Sequence, residues 1–318
     1  MTYNFALIGA AGYIAPRHMK AIKETGQNLI AALDKNDSVG IIDSYFPDST
    51  FFTEFERFDR YSEMLHRTGE QNRIHYVSIC SPNYLHDAHI RFALRIDAHA
   101  ICEKPVVLNP WNAEALKVLE EERGRRIYTI LQLRLHPSII GLKKKIESNT
   151  TGKKHDIELV YITPRGKWYN FSWKGDIVKS GGVATNIGIH FFDMLIWIFG
   201  GVKKNILHLM EFNKAAGLLE LEKANVKWFL SLDRNDLPDK AQKRNTSFRS
   251  IRIDGDEVEF SEGFTDLHTL SYQEILKGNG FGIDEAAPSI EVAHDIRYLV
   301  PIGLKGEFHP YLLRINKP

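Results

Sequence analysis

Short apolar runs that stop abruptly at polar or glycine-rich turns set the layout of the N-terminal part of the chain. Phe5–Ile8 ends at Gly9, Leu29–Leu33 at Asp34, Ile74–Cys80 at Ser81 and Ala98–Cys102 at Glu103. Near-continuous apolar runs bounded by turn signals are the pattern of strands buried on both faces, as in a parallel sheet. Helix-like stretches alternate with them. One carries Met19 and Ile22 and stops at Gly26, a second runs from about Asp87 to Arg95, and a third opens at Asn109-Pro110-Trp111 and is closed by Gly124. Residues 41–73 have poorer periodicity until Tyr61–Leu65 and read as a helix, an edge strand and another helix. Ile127–Leu131 is a further strand, at the end of this half. Beyond it the texture changes, with strand patterns at Ile157–Thr163, Ile206–Glu211, Asn225–Leu232, Phe248–Asp254 and Glu257–Phe260. Asp254-Gly255-Asp256-Glu257 is a hairpin signal between the last two. Strands in succession with few helices predict a mostly antiparallel sheet.

Composition narrows the class. The 318 residues are 43% hydrophobic and 25% charged, as in ordinary globular proteins, and suggest two domains. Lys plus Arg (41) nearly cancel Asp plus Glu (40), so no nucleic-acid partner is implied; the run Lys143-Lys144-Lys145 reads as a solvated helix face. The two cysteines, Cys80 and Cys102, each end an apolar strand, as core thiols do in a reducing compartment. The start of the chain shows no signal peptide and no apolar stretch reads as a membrane span, so a cytoplasmic protein is expected.

The candidate chemistry lies at the strand ends. Gly9-Ala10-Ala11-Gly12-Tyr13-Ile14-Ala15 follows the first strand and opens a helix, the context of a dinucleotide fingerprint, although G-x-x-G-x-x-A is one residue longer than the usual form. Gly9 permits the tight turn, Gly12 lets the backbone approach a pyrophosphate, and Ala15 allows close helix packing. Asp34 ends the second strand where a carboxylate can hold the adenosine ribose, and no arginine follows, which favours NAD over NADP; helix N-cap is its competing role. Residues 1–126 therefore read as a Rossmann α/β dinucleotide-binding domain, and 127–318 as an α+β domain with a large, open, mostly antiparallel sheet. Glu103-Lys104-Pro105 follows the fourth strand. Glu103 can accept from ribose hydroxyls, Lys104 can donate as an ammonium or take a proton if burial lowers its pKa, and Pro105 permits a cis bond. His86 is expected at the sheet edge beside the cofactor. His86 and His89 could share a helix face, yet no CxxC or HExxH spacing accompanies them, so no metal is expected. In the second half, Gly181-Gly182 leads to Asn186, Gly188 and His190; four residues apart on a helix, Asn186 and His190 would face one way. A satisfied core histidine is the competing role for His190.

Together these residues resemble the Gfo/Idh/MocA family of NAD(P)-dependent sugar oxidoreductases. The matching pieces are Gly9–Ala15, Ser81-Pro82-Asn83 with His86, Glu103-Lys104-Pro105, and Gly181-Gly182 through Asn186, His190 and Asp193. The resemblance implies a cofactor site that includes Gly9, Gly12, Tyr13, Ile14, Asp34, Ser81, Asn83, His86, Glu103 and Lys104. It also implies Lys104 and His190 beside the reacting carbon, and a second domain that binds substrate and builds a homo-oligomer, a tetramer being favoured. Many members have aspartate where this chain has Asn186, and asparagine there looks like the branch that oxidises UDP-N-acetylglucosaminuronate at its 3-hydroxyl in bacterial surface-polysaccharide synthesis. Tyr161–Tyr169, Ser172–Gly175, Ser247–Ile251 and Phe264–Thr269 resemble that branch as well. A nucleotide-sugar acid brings a carboxylate and a pyrophosphate; Arg165, Lys167 and Lys174, interleaved with Trp168, Tyr169 and Trp173, are suitable counter-charges and stacking surfaces. An amphipathic edge strand is the competing role for that cluster. The expected activity is NAD-dependent dehydrogenation, with Lys104 or His190 as the base and Asn186 beside them. Arg165, Tyr169, Lys174, Asn186 and His190 are the expected substrate contacts. A dehydrogenase of another sugar or inositol, and a catalytically silent NAD- or sugar-sensing regulator, are the competing functions.

Overall fold

Phe5, Ala6 and Leu7 are wholly excluded from solvent, and they place β1 (Asn4–Ile8) inside a parallel sheet. In the computed structural model, which describes residues 2–148, 152–244, 246–258 and 266–315, β1 pairs with β2 (Asn28–Leu33) on one side and β4 (Tyr76–Ile79) on the other. With β3 (Thr50–Phe52), β5 (His99–Cys102) and β6 (Ile127–Thr129) the sheet runs β3-β2-β1-β4-β5-β6, parallel throughout. The connecting helices are α1 (Ala15–Glu24), α2 (Phe55–Arg67), α3 (His86–Arg95) and α4 (Pro110–Arg123). The helix expected near residue 41 is a single 3-10 stretch, Gly40–Ser44. This strand order reverses at β1, so a crevice opens at the carboxyl ends of β1 and β4, where α/β sheets take their ligands. Neither cysteine forms a disulfide, and burial pushes both thiols up.

The chain divides into two compact units, Met1–Leu135 with Thr265–Ala287, and His136–Phe264 with Pro288–Pro318. This differs from a division after residue 126 in two ways. Cys102 pairs with Thr129, which draws β6 into the first sheet. The helix Leu267–Leu276 returns to the first unit because Tyr272 and Ile275 complete its core beside Phe5, Met19 and Ile101.

The second unit is built on a sheet ordered β12-β11-β7-β10-β9-β8. Its strands are β7 (His155–Ile162), β8 (Val202–Met210), β9 (Lys214–Leu221), β10 (Ala224–Ser231), β11 (Phe248–Ile253) and β12 (Asp256–Glu257). Among the described residues only β7 and β10 pair in parallel in this sheet, so it is mostly antiparallel, as expected. The strand expected over Glu257–Phe260 is described only at its start; residues 259 and 260 lie outside the described residues. The strand β9 had no counterpart in the sequence reading. The apolar helix Ile189–Phe199 packs on this sheet, with Phe192 edge-on to Trp228 at 5.3 Å and Phe191 5.1 Å from Tyr161. Contrary to the expectation of no such stretch, Ile177–Phe199 is long and apolar enough to cross a membrane by length and composition, but 72% of its apolar window is buried inside the protein.

Candidate functional site

At the crevice of the first unit, two turns touch. Gly9 has φ +89°, and a Cβ on it would lie 2.6 Å from the carbonyl carbon of Cys80 and 2.7 Å from the nitrogen of Ser81. Only glycine lets the turn after β1 meet the turn after β4. A Cβ on Gly12 would stand 3.0 Å from the Gly9 carbonyl oxygen, so this loop too is built around a bare backbone. The amides of Tyr13 and Ile14 are engaged by no acceptor among the described contacts, and the Tyr13 side chain is 85% exposed. Ala15 is wholly buried where α1 begins. Asp34 stands on the rim of this loop. Its Oδ2 accepts from the Ala11 amide at 2.9 Å and its Oδ1 from the Asn36 amide at 2.9 Å, so it ties the glycine loop to the end of β2 and caps no α-helix. A bare-backbone cradle with open amides and a carboxylate at its rim fits a dinucleotide, with pyrophosphate at the loop and ribose toward Asp34.

The ends of β4 and β5 are tied together beneath this crevice. His86 is wholly buried, with Nδ1 2.7 Å from the Pro105 carbonyl and Nε2 2.8 Å from the Ser81 carbonyl. It therefore fastens two turns at the sheet edge, with both ring nitrogens occupied by backbone. Ser81 Oγ lies 2.8 Å from His89 Nδ1, so this hydroxyl also turns inward, and Asn83 is buried beside it. Lys104 is half-buried at the edge, and the Lys104–Pro105 bond is cis. Glu103 has an interior task that the sequence did not announce: its Oε1 accepts from His18 Nε2 at 2.9 Å and His268 Nε2 at 3.1 Å inside the unit. Burial pushes the Glu103 carboxyl up, but the two imidazole bonds outweigh it and hold the group well below the usual carboxylate range.

The second unit gathers the other candidates. After β7 the chain turns through Arg165, whose amide donates to the Leu232 carbonyl at 3.1 Å, into the short helix Trp168–Phe171. Lys174 Nζ lies 5.6 Å from the ring centres of both Trp168 and Trp173. Burial and the neighbouring Arg165 guanidinium lower the pKa of Lys174. Tyr169 is buried, and its hydroxyl accepts from Asn186 Nδ2 at 2.7 Å. Lys167 is exposed where the short helix begins.

Asn186 sits in a π-helical turn, Ala184–Gly188, that runs straight into Ile189–Phe199. From Val183 to Phe199 the half-exposed positions are Asn186, His190 and Trp197, and the rest are buried. Asn186 and His190 thus share the one open side of a core helix, as their spacing predicted. Gly181 and Gly182, at φ +80° and +77°, make the left-handed approach to it. Gly188 is required by packing, since a Cβ there would meet the Leu230 side chain of β10 at 2.6 Å. Sequence reasoning missed His18, Ser78 and Tyr272, which connect to Glu103. Their only local signal is a histidine on the apolar face of α1 beside Met19 and Ile22.

Comparison with known proteins agrees with this layout. Residues 3–130 match the oxidoreductase family with an NAD-binding Rossmann fold (GFO_IDH_MocA), and residues 143–232 match its C-terminal alpha/beta domain. A WlbA (WbpB) dehydrogenase from Thermus thermophilus is 51% identical, with a TM-score of 0.93 over 98% of this chain and 100% of that one; it was solved with NAD and α-ketoglutarate. The same enzyme was solved with NAD and UDP-GlcNAcA. A WlbA dehydrogenase from Bordetella pertussis shares the fold at 19% identity, with a TM-score of 0.76 over 93% of this chain and 95% of that one. A myo-inositol 2-dehydrogenase from Thermotoga maritima is 27% identical over 137 residues, 42% of this chain and 39% of its own length. The chain thus spans less than two fifths of that curated relative. Both units match the family's domains in order, and the full-length neighbour is well above the level at which family is in question: the chain belongs to the Gfo/Idh/MocA family of NAD-dependent oxidoreductases.

Proposed function

We propose that the chain oxidises the 3-hydroxyl of UDP-N-acetylglucosaminuronate to the 3-keto sugar with NAD, in bacterial surface-polysaccharide (O-antigen) sugar synthesis. The observation that carries this reading is the Thermus neighbour, which holds NAD and UDP-GlcNAcA and matches this chain through both units. The cluster of Arg165 and Lys174 among Trp168, Tyr169 and Trp173 supports it, because an anionic nucleotide sugar needs cations and flat apolar faces. NAD, held at the Gly9–Ile14 loop and Asp34, accepts the hydride from C3. Lys104 or His190 takes the hydroxyl proton, and Tyr169 orients Asn186 beside the sugar. A homo-oligomer, favoured as a tetramer, and a cytoplasmic location complete the proposal.

A second feature of the cycle rests on the ligand of the same neighbour. Solved with α-ketoglutarate, it supports reoxidation of retained NADH by a 2-keto acid, which takes the hydride and a proton to become the 2-hydroxy acid. Without added 2-oxoglutarate, turnover should stop near one equivalent of product, and its addition should restore continuous oxidation. Sustained turnover on free NAD alone would remove this feature.

Substrate choice is tested with Arg165. A guanidinium can grip a carboxylate through two parallel hydrogen bonds, and removing one partner of a desolvated charge pair costs roughly 2–5 kcal/mol. Arg165→Ala should raise KM for UDP-N-acetylglucosaminuronate about thirtyfold or more and leave UDP-N-acetylglucosamine almost untouched. Equal losses on both sugars would take Arg165 out of this role. A wild type indifferent to the carboxylate would remove the uronate.

A further inference from the structure

Glu103, the residue before Lys104, belongs to a closed set of buried polar groups that hydride transfer does not itself use. Ser78 Oγ is 2.6 Å from the Tyr272 hydroxyl, which is 2.7 Å from His18 Nδ1. His18 Nε2 and His268 Nε2 then meet at Glu103 Oε1. The five residues come from β4, α1, the returning helix Leu267–Leu276 and the residue that follows β5, and each is at least nine-tenths buried.

Hydrogen counting fixes the direction of this chain. An ionised carboxylate only accepts, so both Nε2 atoms carry hydrogen. With Nε2 protonated and burial lowering its pKa, His18 stays neutral and its Nδ1 accepts from the Tyr272 hydroxyl. The Tyr272 oxygen, whose pKa burial pushes up, then accepts from Ser78. Every hydrogen is used, and the negative charge rests on Glu103, the residue before Lys104.

We propose that Glu103, with His18 and His268, positions Lys104 and sets its charge: it fixes the chain where β5 ends and places a buried anion that favours the lysine ammonium. The proposal rests on the reading that Lys104 takes part in proton transfer, and it adds three positioning residues to that reaction. Other titratable groups border the pair: Cys80 after β4, Cys102 in β5, His86 on α3, Tyr272 on the returning helix, and Arg17, which acts on His18 from α1. Burial keeps both thiols and the phenol uncharged and lowers His86, so within this buried set the negative charge rests on Glu103.

The test is the titration of Lys104 in the full-length protein, read by trace acetylation across pH with mass spectrometry, which needs no sugar. Glu103→Gln keeps a carbonyl oxygen for both imidazoles and removes the charge. The Lys104 pKa should fall by about one unit, and the acidic limb of kcat/KM should move down with it, while NAD binding persists. His268→Phe keeps a ring and removes one donor from the carboxylate, so Lys104 should move the other way by a few tenths of a unit. If Glu103→Gln does not fold, the His268→Phe shift decides. No shift in the folded variants, or shifts of the same sign, would overturn the proposal even if thermal stability fell. One equivalent of tightly bound metal in the purified protein would also overturn it, since His18, Glu103 and His268 offer ligand atoms within 4.8 Å of one another. A wild type that failed to oxidise UDP-N-acetylglucosaminuronate would remove the substrate assignment and leave the labelling result standing.

Discussion

Asp34 shows how far a single side chain can be read in advance. An acid at the end of the second strand predicted ribose binding; its second employment, holding the Ala11 amide at 2.9 Å, depends on a fold that sequence spacing does not display. Because the carboxylate faces the loop and repels a 2′-phosphate, the protein should bind NAD at least tenfold more tightly than NADP. Equal affinity for both cofactors would contradict this reading. His86 and Glu103 were legible as candidates, but their bonds inside the first unit were not, since spacing cannot say whether a polar side chain at a strand end turns out to the crevice or in to the core. Asn186 and His190 were legible because a helix puts positions four apart on one side. The partner of Asn186, Tyr169, is 17 residues away and became visible only in three dimensions. Tyr169→Phe removes the oxygen that receives the Asn186 amide. It should lower kcat about tenfold, a loss near 1–2 kcal/mol, and Asn186→Ala added to it should cost little more. Fully additive losses would show that the two side chains act separately.

The strand–turn–helix units of the first sheet were readable because buried parallel strands write continuous apolar runs. The strand β9 was not. Lys214–Leu221 is Ala-, Gly- and Leu-rich, a composition with no β-branched signal, and it becomes a strand because tertiary packing buries Ala215, Ala216 and Leu219 completely. Gly217 lies where a Cβ would stand 2.6 Å from the Trp228 ring. The return of Leu267–Leu276 to the first unit was hidden for another reason. Local periodicity announces a helix but not the sheet it covers. The turn after β1 gives the sharpest test among these elements. Gly9→Ala must accept both a left-handed φ and contact with the Cys80 backbone. It should cost upward of about 2 kcal/mol and weaken NAD binding strongly, whereas Gly26→Ala, with open space around it, should cost only the strain of its φ of +71°. Similar melting temperatures and NAD affinities for the two variants would contradict the touching-turns geometry.

Across the molecule, near-neutral charge and an ordinary composition predicted a globular protein with no nucleic-acid partner, yet gave no hint of how many histidines are buried. Burial lowers His89 and His309 to about 4, in one unit each. A histidine held below its unfolded value near 6.5 binds fewer protons folded than unfolded between those two pH values. Stability is therefore complete above about pH 6.5 and declines as pH falls toward 4, by on the order of 2–3 kcal/mol for each histidine. Urea midpoints measured from pH 7 to 4 should follow that slope, and a flat profile would contradict it. The central claim is that the chain oxidises a UDP-sugar acid at one carbon. Its most direct measurement uses UDP-N-acetylglucosaminuronate deuterated at C3, with NAD and the purified protein. The account predicts that the deuterium appears in the reduced nicotinamide and that the sugar becomes a 3-ketone two mass units lighter than protium substrate. Transfer from any other carbon, or reduced cofactor formed with all the C3 deuterium still on the sugar, would contradict it.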